Sequence, residues 1–182
     1  MLITETTLKD VYLIQPKKFE DYRGYFSETF NQNKFIKISK ETFVQDNESL
    51  SLKKNVFRGL HFQTPPYEQD KLVRVLKGKI LDIVLDLRKN SPTYLKHEIF
   101  EISENNYTQI WVPKGFAHGV LILKENTLLS YKVTNFYSPE HDSGISIDDL
   151  SLGISLPVNI DKLILSEKDK KLQRFNPEKK YF

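Results

Sequence analysis

The chain has 182 residues, of which 39% are hydrophobic and 28% are charged. This composition is typical of one folded domain and is too apolar for a disordered chain. The formal net charge of +3 is too small to indicate a nucleic-acid partner, although it is compatible with an anionic ligand. There is no cysteine, which excludes disulfides, thiolate catalysis and cysteine-ligated zinc.

The amino terminus and the hydropathy pattern predict a cytoplasmic protein. The segment Met1–Glu5 lacks the basic region and apolar core of a signal peptide. No apolar run approaches the roughly 20 residues that span a bilayer. We therefore expect residues 1–182 to form a single cytoplasmic domain with no membrane partner and no nucleic-acid partner.

Short strand patterns dominate the chain. In Leu81–Leu87, leucine or isoleucine alternates with Asp82, Val84 and Asp86, which predicts a strand with one apolar face. The tripeptide 77–79, Lys-Gly-Lys, predicts a hairpin turn between this strand and an earlier one. The predicted strands cover residues 11–15, 25–30, 43–50, 55–62, 72–76, 81–87, 96–102, 107–112, 117–123 and 127–136.

Helix signals are few and lie outside these strands. Asn31–Ile38 predicts about two turns, and Asp161–Gln173 predicts a helix that begins at an aspartate suited to capping. The lysine-rich tail Lys168–Phe182 is predicted to be a solvated surface. Many short strands at regular spacing favour a mainly β jelly-roll or sandwich with a few short peripheral helices, and they argue against a βαβ fold.

His61 is the best candidate for a catalytic base, because an unperturbed imidazole titrates near about pH 6.5. The alternative is a core histidine whose ring is satisfied by a backbone carbonyl. Arg58 and Lys71 favour the base, since antiparallel pairing of their strands can bring all three residues to one cavity mouth. Two cations beside a neutral base suit a substrate that becomes an oxyanion, and they also suit a phosphate.

Two further residues each have two interpretations. Tyr131 lies in an alternating strand and is protonated at neutral pH, so it is either a proton donor or an ordinary packing residue. His118 is either a metal ligand or a pocket residue that holds a phosphate or a substrate oxygen. Zinc and iron sites take three or four good ligands, and only His61, Gln63 and Glu68 accompany His118. The sequence therefore predicts no metal site.

Several motifs in this order carry a family resemblance. Pro113–Gly119 has the P-x-G-x-x-H form of the second motif of the cupin superfamily, whereas an earlier stretch has His61 and Gln63 where metal-binding cupins carry His-x-His. From about Val11 to Asp169, the chain resembles the dTDP-4-dehydrorhamnose 3,5-epimerase family of metal-independent cupin-fold enzymes. The matching segments are Pro16–Gly24, Phe43–Asn47, Asn55–Gln63, Lys71–Arg74, Trp111–Gly119, Gly153–Pro157 and Leu165–Asp169.

The resemblance implies a cupin-type jelly roll and a set of site residues. It pairs His61 with Asp169, which composition alone predicts to be an exposed charge, and the aspartate would orient the imidazole and stabilise its charged form. Tyr131 aligns with the catalytic tyrosine of the family, and Lys71 aligns with a cation that faces the oxyanion. The implied substrate-binding residues are Arg23, Phe26, Glu28, Gln45, Asn47, Arg58, His118, Phe136 and Glu140.

The implied activity is inversion of C3, C5 or both in a nucleotide-linked 4-keto sugar. A base removes a proton next to the carbonyl, a cation stabilises the enolate oxygen, and an acid protonates the opposite face. This chemistry needs no cofactor, and the chain has no G-x-G-x-x-G fingerprint. The family usually forms homodimers, so a homodimer is predicted in which an N-terminal strand reaches the partner's sheet.

The sequence departs from the family pattern at three positions, and the departures at Ile147 and Phe136 lie near the region that binds the nucleotide or the sugar. Ile147 and Leu156 replace frequent tryptophans, and Phe136 replaces a frequent tyrosine. The nucleotide base, the choice of hexose or heptose and the number of inverted centres are therefore open, and an epimerase of GDP-linked 4-keto-heptoses is one alternative. A 3,4-ketoisomerase of similar fold and a non-catalytic sugar-binding cupin are the others. The joint presence of His61 and Asp169 with Tyr131 and Lys71 argues against simple binding.

Overall fold

The structure, a computed structural model, describes all 182 residues and consists mainly of short strands. One helical turn, α1, spans Gln32–Phe35, and none of the helices has the length and apolar character that a membrane-spanning helix requires. The strands in chain order are β1 (Leu2–Glu5), β2 (Tyr12–Gln15), β3 (Lys18–Asp21), β4 (Gly24–Ser27), β5 (Gln45–Ser51), β6 (Phe57–Gln63), β7 (Lys71–Lys77), β8 (Lys79–Asp86), β9 (His97–Ser103), β10 (Gln109–Val112), β11 (Phe116–Ile122), β12 (Thr127–Val133) and β13 (Asp142–Gly144).

Two antiparallel sheets face each other and enclose the main apolar core. The first sheet has the strand order β1-β2-β10-β7-β12-β5, and the second has the order β13-β6-β11-β8-β9. Strands β3 and β4 form a separate hairpin. The predicted mainly β jelly-roll is confirmed, and every strand predicted from the sequence overlaps an observed strand. Strands β1, β3 and β13 were not predicted, because each has only three or four residues and no clear alternation.

The second sheet is apolar on both of its faces. Its inner face contributes residues such as Val84 to the core between the sheets, while Ile83 and Leu85 belong to a second apolar cluster on the outer face. The C-terminal segment covers that outer cluster, so β8 has protein on both sides. The prediction of a single apolar face for this strand is therefore wrong, and Asp82 and Asp86 are fully buried.

The predicted hairpin at residues 77–79 is also wrong. Strand β7 pairs with β10 and β12, whereas β8 pairs with β9 and β11, so the chain passes from one sheet to the other at Gly78. Gly78 has a φ of 91°, and a Cβ atom at this position would lie 2.2 Å from Oγ1 of Thr127. Only glycine fits this turn without strain, so its presence marks a change of sheet.

The helix predicted over Asp161–Gln173 is wrong, whereas the one predicted near residue 31 is present as the short α1. The C-terminal segment has only brief 3₁₀ turns. Between them, the backbone of Ile164 bonds to Asn55 and Phe57 at the start of β6. Pairing with a strand satisfies the backbone in an extended form, and Leu165 packs on the outer apolar cluster. Tertiary contacts thus override the helix signal.

The tail is not simply a solvated surface, contrary to the prediction for Lys168–Phe182. Tyr181 is buried, and its ring contacts the rings of Phe62 and Phe175. The lysines of the tail remain exposed. The tail therefore ties the C-terminal segment to the outside of β6.

Candidate active site

A cavity of about 250 Å³ between the two sheets collects the four predicted catalytic residues. His61 comes from the second sheet, and Lys71 and Tyr131 come from the first sheet. Asp169 enters from the C-terminal segment. The pairing predicted between the strands of His61 and Lys71 is wrong, because β6 and β7 belong to different sheets and face each other across the cavity. The polar lining comprises Ser49, Arg58, His61, Lys71, His118, Tyr131, Ser166 and Asp169.

A β-bulge in β6 turns Arg58 and His61 toward the same cavity. His118 of β11 is opposite His61, and Val120 is opposite Arg58, so three steps along β6 match two along β11. In a regular strand, residues three apart point to opposite faces. Gly59 occupies the irregularity with a φ of 132°, and a Cβ atom there would lie 2.5 Å from the backbone of β11. The glycine permits the close approach that directs both side chains inward.

His61 and Asp169 form a tight hydrogen-bonded pair. Nε2 of His61 lies 2.5 Å from Oδ1 of Asp169, whose side chain is buried. Burial by itself raises the pKa of Asp169, but the hydrogen bond and charge of His61 outweigh burial and hold that pKa below its ordinary value. The ionised carboxylate accepts a hydrogen bond from Nε2, which leaves Nδ1 of His61 with the lone pair that can take a proton.

Lys71 and Tyr131 provide two donors on the opposite wall. Burial lowers the pKa of Lys71 to about 8, and the negative charges of Asp82 and Asp142 offset burial only in part. Burial raises the pKa of Tyr131, against a smaller opposing effect of the Arg58 charge. The phenol is therefore protonated at neutral pH, and the ammonium is protonated in most molecules.

His118 forms a second pair with an acid that was not predicted to be functional. Its Nε2 lies 2.8 Å and 2.9 Å from the two carboxylate oxygens of Asp82. Asp82 is fully buried, and His118 lines the cavity beside His61. The only signal for Asp82 in the sequence is an acid inside an apolar strand. The structure contains no group of three or more His, Asp or Glu side chains that could hold a metal ion.

Gln45, Asn47, Phe136 and Glu140 lie around the cavity and not within its lining. Nε2 of Gln45 donates to Oδ1 of Asn47 at 2.8 Å, and Asn47 is paired with Tyr131 across β5 and β12. Phe136 and Glu140 are exposed on the segment that follows β12. These four residues are thus at or near one end of the barrel.

Arg23, Phe26 and Glu28 lie away from the cavity of their own chain. Arg23 pairs with Asp21 at the tip of the β3–β4 hairpin, with a distance of 2.6 Å between Nη2 and Oδ2. Phe26 is 70% exposed on the same hairpin. Oε1 of Glu28 pairs with Nζ of Lys34, a residue of α1, at 2.5 Å. Within one chain, the structure does not bring these three residues to the cavity.

Comparison with known proteins gives the same family over almost the whole chain. The family model for dTDP-4-dehydrorhamnose 3,5-epimerase matches residues 5–177. The dTDP-4-dehydrorhamnose 3,5-epimerase of Sinorhizobium fredii is 48% identical over 170 residues, which cover 93% of this chain and 87% of the relative.

Solved structures of similar enzymes have the same fold. The dTDP-4-dehydrorhamnose 3,5-epimerase of Bacillus anthracis, solved with TDP and pyrophosphate bound, superposes with a TM-score of 0.92 at 42% identity and covers 96% of this chain and 99% of its own. The dTDP-6-deoxy-D-glucose-3,5-epimerase of Legionella pneumophila was solved in complex with dTDP-4-keto-L-rhamnose. It has a TM-score of 0.89 at 37% identity and covers 95% of this chain and 92% of its own.

Proposed function

The chain belongs to the dTDP-4-dehydrorhamnose 3,5-epimerase family and is a carbohydrate epimerase, and from that premise we propose that it inverts C3 and C5 of a dTDP-linked 4-keto-6-deoxy sugar. One observation carries this proposal: a candidate base and a candidate acid face each other across one cavity. His61, with Asp169, lies on one wall, and Tyr131 lies on the other beside Lys71. Inversion at carbon requires deprotonation from one face and protonation from the opposite face.

The first step is removal of a proton by His61. The C–H bonds at C3 and C5 are acidic because both carbons are adjacent to the C4 carbonyl. Nδ1 of His61 takes the proton, and the imidazolium that forms is stabilised by the ionised Asp169 bonded to Nε2. The electron pair of the broken C–H bond moves into an enolate, with its negative charge on O4.

The second step is protonation of the enolate from the other face. The Lys71 ammonium supplies the positive charge that stabilises the O4 oxyanion in a partly desolvated cavity. The Tyr131 phenol then delivers a proton to the carbon, which restores the carbonyl with inverted configuration. Solvent recharges the tyrosine and removes the proton from His61 before the next inversion.

The remaining predicted residues are proposed to bind the substrate. Arg58 and His118 line the cavity beside the proposed base. The Arg58 guanidinium supplies hydrogen-bond donors for sugar or phosphate oxygens, whereas His118, whose Nε2 donates to Asp82, has Nδ1 left to accept a hydrogen bond from a sugar hydroxyl. Gln45, Asn47, Phe136 and Glu140 surround the cavity end and are proposed to contact the nucleotide half. The single domain over residues 1–182 and the cytoplasmic location remain predictions from the sequence.

Deuterium incorporation tests the reaction directly. The protein is incubated in D₂O, without added metal, with dTDP-4-keto-6-deoxyglucose and in parallel with a GDP-linked 4-keto sugar. We expect mass spectrometry and NMR to find deuterium at both C3 and C5 of the dTDP sugar and none in the GDP sugar. Exchange at a single centre would show that the protein is a mono-epimerase. Exchange only with the GDP sugar would show that the substrate carries GDP in place of dTDP, and no exchange with either sugar would overturn the proposal.

We also propose a homodimer in which the β3–β4 hairpin of each protomer contributes residues to the cavity of its partner. The hairpin exposes an unusual set of aromatic side chains for a soluble monomer, among them Tyr22, which is 97% exposed, and Phe26. An exposed apolar patch of this kind marks an interaction surface. Arg23 is on this hairpin and does not reach the cavity of its own chain. If Arg23 binds substrate, the cavity that it reaches therefore belongs to a second chain.

Mixing two inactive variants tests the exchange between protomers. His61→Ala removes the base, and Arg23→Ala removes the hairpin cation. In a mixed dimer, the intact cavity of the Arg23→Ala protomer receives an intact hairpin from its partner, so activity should return after unfolding and co-refolding. No recovery would show that each hairpin serves its own chain, and a monomer in light scattering at micromolar concentration would contradict the dimer itself.

A further inference from the structure

We infer that Gln63 is a positioning residue that holds the segment Asn135–Ser138 at the cavity mouth and thereby sets the affinity for the nucleotide half of the substrate. This inference rests on the proposed function. Gln63 lies two residues beyond His61 on β6, so the two side chains lie on the same face of the strand. It occupies the position at which metal-binding cupins carry their second histidine, and here the position is used for a different task.

The Gln63 side chain is buried and uses its amide to join two loops. Its Nε2 donates to the backbone oxygen of Tyr67 at 2.6 Å and to that of Phe136 at 3.1 Å. Its Oε1 accepts a hydrogen bond from the backbone N–H of Ser138 at 2.7 Å. Both amide hydrogens and the amide oxygen are thus used, two of these bonds being to the mouth segment.

The mouth segment depends on such bonds because no strand holds it. Asn135–Ser138 begins two residues after the end of β12, and the last residue of β12 is paired with Lys71, which places the segment at the same end of the barrel as that lysine. Two further glutamine side chains form hydrogen bonds with its backbone. Nε2 of Gln69 donates to the backbone oxygen of the segment's first residue at 2.7 Å, and Oε1 of Gln45 accepts from the backbone N–H of its third residue at 3.1 Å. Gln63 adds the two bonds that come from within the barrel.

The segment presents aromatic rings beside the cavity. Phe136 and Tyr137 are both largely exposed, although their backbone is fixed. Exposed aromatic faces of this kind suit stacking with a planar nucleobase. The Gln63 side chain forms no hydrogen bond with His61 or Tyr131, so its loss should weaken binding and leave the proton transfers intact.

Two substitutions at Gln63 separate positioning from chemistry. Gln63→Met removes all three hydrogen bonds, whereas Gln63→Glu keeps the length and the acceptor for Ser138 but loses both donations. We expect KM for dTDP-4-keto-6-deoxyglucose and Kd for dTDP alone, measured by calorimetry, to rise about tenfold in both variants. This corresponds to the loss of one or two hydrogen bonds to the mouth segment. We expect kcat to change less than about twofold.

A matched glutamine provides the control. Gln15, on β2 and outside the cavity lining, donates to the backbone oxygen of Asn106 at 3.0 Å, so Gln15→Met should change neither KM nor Kd. If Gln63→Met fails to fold, Gln63→Glu carries the test.

The outcomes distinguish this inference from the proposed function. Folded Gln63 variants with wild-type KM and Kd, or with a lower kcat at unchanged KM, would overturn the inference while the wild-type activity stands. A wild-type protein that neither turns over the sugar nor binds dTDP would overturn both. Faster amide exchange at Ser138 in Gln63→Met, with KM and Kd unchanged, would reduce Gln63 to a structural clamp and would also overturn the inference.

Discussion

Two aspartates on β8 show how one strand serves both the site and the fold. Asp82 and Asp86 are four residues apart, point to the same face and are fully buried. Asp82 has one side-chain partner, His118, at the wall of the cavity. Asp86 accepts hydrogen bonds from Arg88 at 2.9 Å and 3.0 Å, from Ser91 at 2.6 Å and from Thr93 at 2.7 Å.

The difference lies in the kind of partner that each carboxylate has. Burial alone raises the pKa of Asp86, but its hydrogen bonds to Arg88 and the two hydroxyls outweigh burial and keep that pKa low. Arg88 is held in turn by Asp10 at 2.9 Å and by the ring of Phe116. A buried acid with several permanent partners stabilises the fold. A buried acid whose partner is a cavity histidine is placed to influence the chemistry.

The largest effect is expected on turnover, from a substitution in the cavity. His61→Ala should lower kcat about 10³-fold, since it removes the proposed base. It also leaves the buried Asp169 without its hydrogen-bond donor, so the free energy of unfolding should fall by about 1–3 kcal/mol. His97 is a histidine on β9 outside the cavity, so His97→Ala is the matched control and should keep wild-type turnover. Steady-state kinetics with deuterium exchange checks both. Unchanged turnover in His61→Ala would overturn the pairing of His61 with Asp169 as the catalytic base.

The next effect is expected at the other end of β8 and in stability alone. Arg88→Met leaves the buried Asp86 without its cation and should lower the free energy of unfolding by about 3 kcal/mol. The exposed pair of Arg174 with Asp148, at 3.4 Å, provides the control, and Arg174→Met should cost less than about 1 kcal/mol. Urea denaturation measures both values. Turnover per folded molecule should stay at the wild-type level in Arg88→Met. A large loss of turnover would contradict the assignment of Asp86 and Arg88 to stability alone.

The strands could be predicted from the sequence because their signal is local. Alternation and turn residues place ten of the thirteen strands and indicate the jelly-roll class, but they cannot tell which sheet a strand joins. Residues 77–79 have the composition of a hairpin, and the turn is in fact a passage between sheets, where Gly78 lies against Thr127. The helix predicted from residue 161 failed for a similar reason, since its apolar residues contact the second sheet and its backbone bonds to the start of β6.

The site was predicted unevenly for the same physical reason. His61 and Lys71 were singled out as residue types suited to the chemistry, although the expected strand pairing was wrong. Asp169 is 108 positions from His61 and has no local signal, so only the family resemblance identified it. Asp82 was assigned to a polar face, because the covering of the outer face of β8 by the C-terminal segment depends on contacts distant in sequence.

The pH dependence of catalysis sharpens the role of the cavity charges. Because the proposed mechanism needs a protonated Lys71, whose pKa is lowered by burial to about 8, kcat/KM should fall about tenfold per pH unit above that value. The unfolded chain holds this proton up to the ordinary lysine pKa of 10.5, so the contribution of Lys71 to stability rises with pH between these values. Stopped-flow kinetics with unfolding measured at each pH separates the two. A flat profile up to pH 9.5 would remove Lys71 from the oxyanion role.

The smallest effect tests whether Asp82 acts on the chemistry at a distance. The negative charge of Asp82 raises the pKa of Lys71 against the effect of burial, so Asp82→Asn should lower that pKa and move the alkaline limb of kcat/KM to lower pH by a fraction of a unit. The asparagine can still accept a hydrogen bond from His118, which limits the loss of stability. Asp46, exposed and paired with Lys132, is the control, and Asp46→Asn should leave the limb in place. A limb that does not move in Asp82→Asn would make Asp82 a structural acid like Asp86, because its charge would then have no measurable influence on Lys71, the residue proposed to stabilise the oxyanion.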